Sequence, residues 1–221
     1  MKYFILLLIL IFSFQIISAQ DTSKTELKHG ILFQIDNLFT LNNFKGYTFA
    51  YQYMLDKESK SLRFGITTYS LNRDREQESI QDTLLRKSPN SSTRWDIKLA
   101  VDYLNRMMQY EKFHLYVGAG PFIGYQKRYD ESKQISPFGS SKDIADTKTL
   151  SVGLNFILNV EYQLDTNVFL SGEYNISTSY SYSKTKSKST LNDVAMLVGT
   201  TKAKDISFGG SNASLGLAIF F

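Results

Sequence analysis

The sequence predicts an all-β fold: an eight-stranded antiparallel up-and-down transmembrane β-barrel with short periplasmic turns and long extracellular loops. Three observations support this prediction. Apolar residues recur at every second position in eight segments, the connections between these segments differ in length in a regular order, and the N-terminus resembles an export signal. The 221 residues suit one domain.

The composition excludes several kinds of site. The chain has no cysteine, which rules out a disulfide framework, a thiolate zinc site, a cysteine nucleophile and a lipidated N-terminal cysteine. The two histidines, His29 and His114, are too few for a multi-histidine metal centre. We therefore expect no metal centre. We also expect no cofactor, and no catalytic residue because no acid–base–nucleophile set is assembled.

The first residues have the order of a cleaved signal peptide. Lys2 precedes an apolar run that is followed by Ser18 and Ala19. A single membrane anchor is the weaker alternative, because Ser13 and Gln15 interrupt a run that should reach about 20 apolar residues. We expect a signal peptide over 1–19, a short lead over 20–29 and the barrel domain over 30–221.

The strand segments alternate between an apolar and a polar row. The clearest lies between Leu150 and Leu164, where every even position is apolar and Ile157 is the one apolar odd position. Segments 47–55 and 95–103 also alternate, with the apolar row at the odd positions. Weaker patterns run near 30–41, 61–72, 113–127, 167–178 and 207–221.

The connections favour a membrane barrel over two soluble alternatives. After the first hairpin, short links (56–60, 105–112, 165–167) alternate with long polar stretches near 73–92, 128–148 and 179–206. A β-sandwich would show no such alternation. A lipocalin-type barrel would keep its apolar side inward, whereas here the apolar rows carry Trp95, Tyr103 and Tyr162 at their ends, as an interfacial girdle would.

The C-terminal segment carries a family resemblance. It is apolar at every second position up to the last residue: Ala213, Leu215, Leu217, Ile219 and Phe221. On this pattern the chain resembles the outer-membrane β-barrel proteins of Gram-negative bacteria. The segment LYVGAGPFIGY, Leu115–Tyr125, is similar to strands of small OmpA/OmpX-type or porin-family domains. The resemblance implies a location in the cell outer membrane, and a last strand that the barrel-assembly machinery recognises during biogenesis.

The polar rows place charges inside the predicted barrel. By alternation these are Arg63, Asp96, Lys98, Asp102, Glu161 and Glu173, with His114 opening the fifth strand. Buried charges need partners, and strand order suggests the pairs Arg63–Asp102, His114–Glu161 and Lys98–Glu173. We interpret this network as a plug that closes the barrel, with an ion path or gate as the alternative.

The charges of the long connections suggest which molecules the protein contacts outside itself. Lys184, Lys186 and Lys188 make the third one basic, which suits weak contact with the phosphates of lipopolysaccharide in the outer-membrane lipid. A solvated loop is the alternative. We expect a monomer that binds no nucleic acid.

The leading functional hypothesis is a non-enzymatic integral outer-membrane barrel that is structural or interacts through its extracellular loops. A narrow porin or small-solute channel is the second hypothesis, opposed by bulky inward residues: Tyr69, Tyr116, Phe122, Ile157 and Phe169. A lipid-modifying enzyme is the third. It is disfavoured because His29 and His114 fall at the periplasmic end, away from lipid A.

Overall fold

The computed structural model describes residues 28–36, 46–56, 59–81, 84–136, 139–192 and 194–221, and these form an antiparallel up-and-down barrel. The predicted all-β fold with eight strands is confirmed. The strands are β1 (His29–Asp36), β2 (Tyr47–Asp56), β3 (Lys60–Gln81), β4 (Leu84–Tyr110), β5 (Phe113–Ser136), β6 (Gly139–Gln163), β7 (Val168–Leu191) and β8 (Val194–Phe220). The predicted signal peptide lies outside the described residues. Among the residues described, no helix is long and apolar enough to cross a membrane.

Pairing of the first and last strands closes the barrel. Phe33 of β1 lies opposite Leu217 of β8 in an antiparallel register. The backbone of His29 donates to the carbonyl of Phe221 at 3.1 Å and accepts from the Phe221 amide at 2.7 Å. The ring therefore has no open edge at this seam, which removes the unpaired groups that an edge strand would present.

The alternation predicted from sequence matches the two faces of the strands, one pointing outward and one pointing into the lumen. On β6, Leu154, Phe156 and Leu158 are about half exposed and point outward, whereas Asn155, Ile157 and Asn159 are buried inside. This apolar-out arrangement is the inverse of a soluble barrel.

The three long connections are not irregular loops, contrary to the prediction. β3 and β4, β5 and β6, and β7 and β8 continue as paired strands to the tips of three long hairpins. Hydroxyl pairs support them, including Thr147–Thr185 at 3.0 Å and Thr149–Ser183 at 2.9 Å. Tight turns then suffice, and Asn192 adopts the positive φ of 46° that such a turn requires. We call this end of the barrel the hairpin end.

The opposite end, here called the turn end, holds the connections β2–β3, β4–β5 and β6–β7 and the first and last described residues. β4 continues to Tyr110, so the connection to β5 consists of Glu111 and Lys112 rather than the predicted 105–112. Glu111 has a φ of 48°, which permits this reversal. Lys184, Lys186 and Lys188, predicted in a loop, lie within β7.

Exposed aromatic side chains border the outer apolar surface at two levels. Towards the turn end they include Tyr53, Tyr103 and Phe113, and towards the hairpin end Tyr47, Trp95, Tyr180 and Tyr182. The run from Trp95 to Tyr103 spans roughly 27 Å along the strand at ~3.4 Å per residue. Because strands of membrane barrels tilt by about 40°, this run corresponds to roughly 21 Å of height, slightly less than their apolar band of about 25 Å. We call the surface between the two levels the apolar belt.

Substitution within the belt should depend on depth. Leu154→Arg places a charge inside the belt and should destabilise the folded protein in lipid vesicles by about 2–4 kcal/mol. Ile144→Arg, on the same strand and face but near the hairpin end, should cost about 0–1 kcal/mol. Urea unfolding in vesicles measures both. Equal losses would show that the belt is misplaced.

Candidate functional site

Arg63 is the centre of a buried ion network that crosses the lumen. Its side chain is 4% exposed, and one guanidinium nitrogen lies 3.2 Å from Asp102 Oδ2 on the neighbouring strand. The other terminal nitrogen lies 2.5 Å from Glu173 Oε2 on β7. Arg63 therefore ties β3 and β4 to β7 through the interior.

This triad makes a well-matched buried ion group. Both carboxylates are also nearly inaccessible, at 5% and 6% exposure. The planar guanidinium offers several donors at fixed angles and stays charged, so it can serve two carboxylates at once. Removal of one member would leave a buried charge without its partner.

The sequence suggested an ion pair between Lys98 and Glu173, but the structure does not contain it. Its ammonium donates to Asn155 Oδ1 at 2.9 Å and lies 4.4 Å from the ring centroid of Phe122. Asn155 in turn donates to Asp102 Oδ1 at 3.4 Å. Glu173 is held by Arg63 instead, because the longer, forked side chain reaches across the lumen.

Asp96 lies nearer the hairpin end and pairs with a residue that the sequence analysis did not single out. Arg94 Nη2 lies 2.6 Å from Asp96 Oδ2, and the guanidinium stands 5.4 Å from the ring centroid of Tyr69. This pair is only partly buried, with Arg94 43% exposed. It is therefore more exposed to solvent than the Arg63 triad.

A second polar chain lies towards the turn end. Ser171 donates to Asn159 at 2.9 Å, and Asn159 donates to Glu161 Oε1 at 3.0 Å. His114 is the register partner of Glu161, and its ring lies 5.6 Å from the ring of Phe169. His29 is separate from this group, on the exposed face, where Nδ1 lies 2.6 Å from the hydroxyl of Tyr51.

A cavity of about 390 Å³ lies on the hairpin side of the Arg63 triad. Its walls carry both signs of charge: Asp36, Asp96, Asp102 and Glu173 against Arg63, Arg94 and Lys98. On the turn side of the triad the lumen holds buried apolar side chains in two clusters, with Met54, Phe169 and Phe220 in one and Leu104 and Tyr116 in the other, beside buried polar residues such as Gln52, Asn159 and Glu161.

Several lumenal residues were missed by the sequence analysis. Asp36 and Gln34 line the cavity from β1, where Thr48 donates to Asp36 at 3.0 Å and Gln34 donates to Glu173 at 3.4 Å. Gln34 and Asp36 follow the inward Leu32 at every second position of β1, so the alternation along this strand predicts that both point into the lumen. Neutral partners such as Asn155 and Asn159 also stand in the polar row of β6, but no charge distinguishes them there as lumenal hydrogen-bond partners.

Glycine allows the close approach of β5 to the triad. A Cβ at Gly120 would overlap the Val101 carbonyl and come within 2.7 Å of Asp102 Oδ1. Gly120 of the LYVGAGPFIGY segment is thus required by this close packing.

The outward C-terminal residues Leu215, Leu217 and Phe221 lie on the opposite face, the outer surface of the barrel, and are 43–49% exposed.

Comparison with known proteins identifies similar architectures only. No known family profile and no curated protein matches the chain. The crystal structure of Acinetobacter baumannii CarO is similar with a TM-score of 0.48 and 9% identity, covering 90% of this chain and 100% of that one. A major outer membrane protein from Thermus thermophilus gives 0.41 and 12%, covering 88% and 98%. A. baumannii CarO2 gives 0.46 and 8%, covering 90% and 100%. These neighbours are outer-membrane β-barrel proteins.

The ion triad should show strong energetic coupling. Arg63→Met leaves two buried carboxylates facing each other and should destabilise the protein by about 3–5 kcal/mol. The triple variant Arg63→Met/Asp102→Leu/Glu173→Leu should cost less than Arg63→Met alone, because no buried charge stays unpaired. Urea unfolding in detergent micelles measures the difference.

Arg94→Met is the matched control for this comparison, since its ion pair with Asp96 is half-exposed and should contribute less than about 1 kcal/mol. A nearly silent Arg63→Met would indicate that water hydrates the triad.

Proposed function

We propose that this protein is a non-enzymatic integral outer-membrane barrel with a lumen closed at its periplasmic end, which acts structurally and through its long hairpins. The observation that carries the proposal is the Arg63 triad, which spans the lumen next to the two clusters of buried apolar side chains, here together called the apolar layer. In this proposal the turn end is periplasmic and the hairpin end is extracellular.

The outer surface supports a membrane location. Apolar residues as large as Phe156, Leu154 and Leu99 are 46–52% exposed across the belt. A soluble monomer rarely exposes a continuous apolar surface of this extent. In a bilayer the same surface contacts hydrocarbon, and the closed ladder satisfies the backbone groups.

The turn side of the lumen supports closure. Tyr116 and Ile157 are 1% and 2% exposed, and Phe169 packs edge to face against Phe220 with ring centroids 5.2 Å apart. An eight-stranded barrel has an interior that side chains can fill. Ions would have to pass between apolar and polar side chains that are almost fully buried.

Export and assembly are part of the same proposal. A chain that spans the outer membrane must first leave the cytoplasm, which is the role we assign to the predicted signal peptide. The backbone hydrogen bonds between Phe221 and His29 close the barrel, so Phe221 suits both recognition of the last strand by the assembly machinery and the final closure.

A narrow solute channel is the second candidate function. The cavity on the hairpin side of the triad carries charges of both signs and would admit small polar solutes from outside. Passage to the periplasm would require the Arg63 triad and the apolar layer to move. A lipid-modifying enzyme has less support, because His29 and His114 lie at the turn end.

Planar-bilayer recording distinguishes the closed barrel from the channel. The purified protein should produce no stable conductance steps. Combining Arg63→Ala with Tyr116→Ala and Phe169→Ala should create them, because these changes remove the triad and part of the apolar layer. The control Tyr180→Ala/Phe208→Ala, on the outer face, should stay silent. Stable steps from the unmodified protein would refute closure.

Deletion of Phe221 should impair assembly but not export. The truncated chain loses both backbone hydrogen bonds to His29 and the aromatic terminus, so we expect it to accumulate in the periplasm. Phe221→Tyr is the control and should assemble normally. Heat-modifiable mobility on gels, after cell fractionation, reports folding. Normal assembly of the truncated chain would show that its terminal residue is dispensable.

A further inference from the structure

Four lysines form one continuous row across the outside of the barrel. Lys127 of β5 lies opposite Lys148 of β6, Lys148 lies opposite Lys184 of β7, and Lys184 lies opposite Lys202 of β8. Trp95 of β4 is the register partner of Lys127 and ends the row. Directly opposite residues share a face, and Trp95 is 44% exposed on the outside. We call the four lysines the lysine row.

The lysine row is unfavourable for the isolated protein. Like charges directly opposite each other destabilise a sheet, and here three successive strand pairs repeat the same juxtaposition. Within the part of the chain that the structure describes, none of the four side chains has a hydrogen-bond or ion-pair partner. An outward carboxylate, Asp146, lies one tier further towards the hairpin tips, opposite Lys186. A partner outside the protein would offset this repulsion.

The surface beneath the lysine row is apolar and aromatic. The next tier towards the turn end contains Tyr125, Leu150 and Tyr182, with Lys204 at its β8 position. Below it, Val152, Tyr180 and Ile206 form another tier on β6, β7 and β8. The lysine row therefore stands at the upper border of the apolar belt, where lipid headgroups meet acyl chains.

We propose that the lysine row binds the headgroup of an anionic glycolipid that carries two phosphates, with its acyl chains lying against the tiers below. This inference rests on the proposed membrane location. Three strand spacings of ~4.8 Å make the row about 14 Å long, which accommodates more than one phosphate. Free phosphate would use the ammonium groups but not the adjoining aromatic and apolar tiers.

The test uses the full folded barrel in dodecyl maltoside and native mass spectrometry with bisphosphorylated lipid A. Lys148→Gln/Lys184→Gln removes the two central charges. Near an anionic surface each lysine contributes about five-fold in affinity, so the double variant should bind about 25-fold more weakly. Lys60→Gln/Lys112→Gln, with the same change of charge at the turn end, should stay within about two-fold of the unmodified protein.

Two further measurements distinguish the proposed lipid from free phosphate and from a purely structural role of the lysines. Monophosphorylated lipid A should bind more weakly than the bisphosphorylated form, and inorganic phosphate should not compete at millimolar concentration. Without lipid, Lys148→Gln/Lys184→Gln should raise the Tm, because it removes repulsion. Equal lipid binding by the two double variants, or competition by free phosphate, would overturn the inference.

Failure of the inference differs from failure of the proposed function. Insertion into vesicles of zwitterionic phosphatidylcholine needs the apolar belt but no lipid with a net charge. If the barrel inserts there but its binding of bisphosphorylated lipid A does not depend on Lys148 and Lys184, only the assignment of the lysine row as a lipid site is refuted. A barrel that does not insert would refute the membrane location.

Discussion

The hydrogen bonding of the backbone in a closed ring is the constraint on which the rest of this structure depends. Inside hydrocarbon an unpaired amide or carbonyl is costly, so strands can cross only when every edge is paired. The eight residues of β1 provide that closure by pairing with β2 on one side and β8 on the other. Since successive side chains then point alternately inward and outward, one face of each strand forms the apolar outer surface and the other lines the lumen.

The small circumference of the ring determines what the inward face can contain. Side chains from opposite walls meet, so a charge on β3 can reach a carboxylate on β7, as Arg63 and Glu173 do. Gly120 leaves space beside Asp102 for this arrangement. The lumen consequently has layers: buried apolar side chains and the Ser171–Asn159–Glu161 chain at the turn end, the ion triad above them, and a mixed-charge cavity towards the hairpins.

The outward face is layered along the same axis. The apolar belt lies between aromatic residues such as Tyr103 and Trp95, and the lysine row follows directly above it. Beyond it the hairpins become polar, and Lys142 forms an ion pair with Glu131 at 2.6 Å. The hydrogen bond from Lys142 holds the pKa of Glu131 below its ordinary value. Depth along the strands therefore decides which side chain is stable at each position.

The sequence by itself determined the strand number, the two faces and the inward position of residues such as Arg63, because alternation with period two is a local property of the chain. It did not determine that the long polar stretches continue as paired strands, since Ser- and Thr-rich segments suit loops and hairpins alike. Only the tertiary structure decided that Glu173 joins Arg63 rather than Lys98, and that Lys127, Lys148, Lys184 and Lys202 share one row. Both outcomes depend on strand register and on distances across the lumen, which a single sequence does not encode locally.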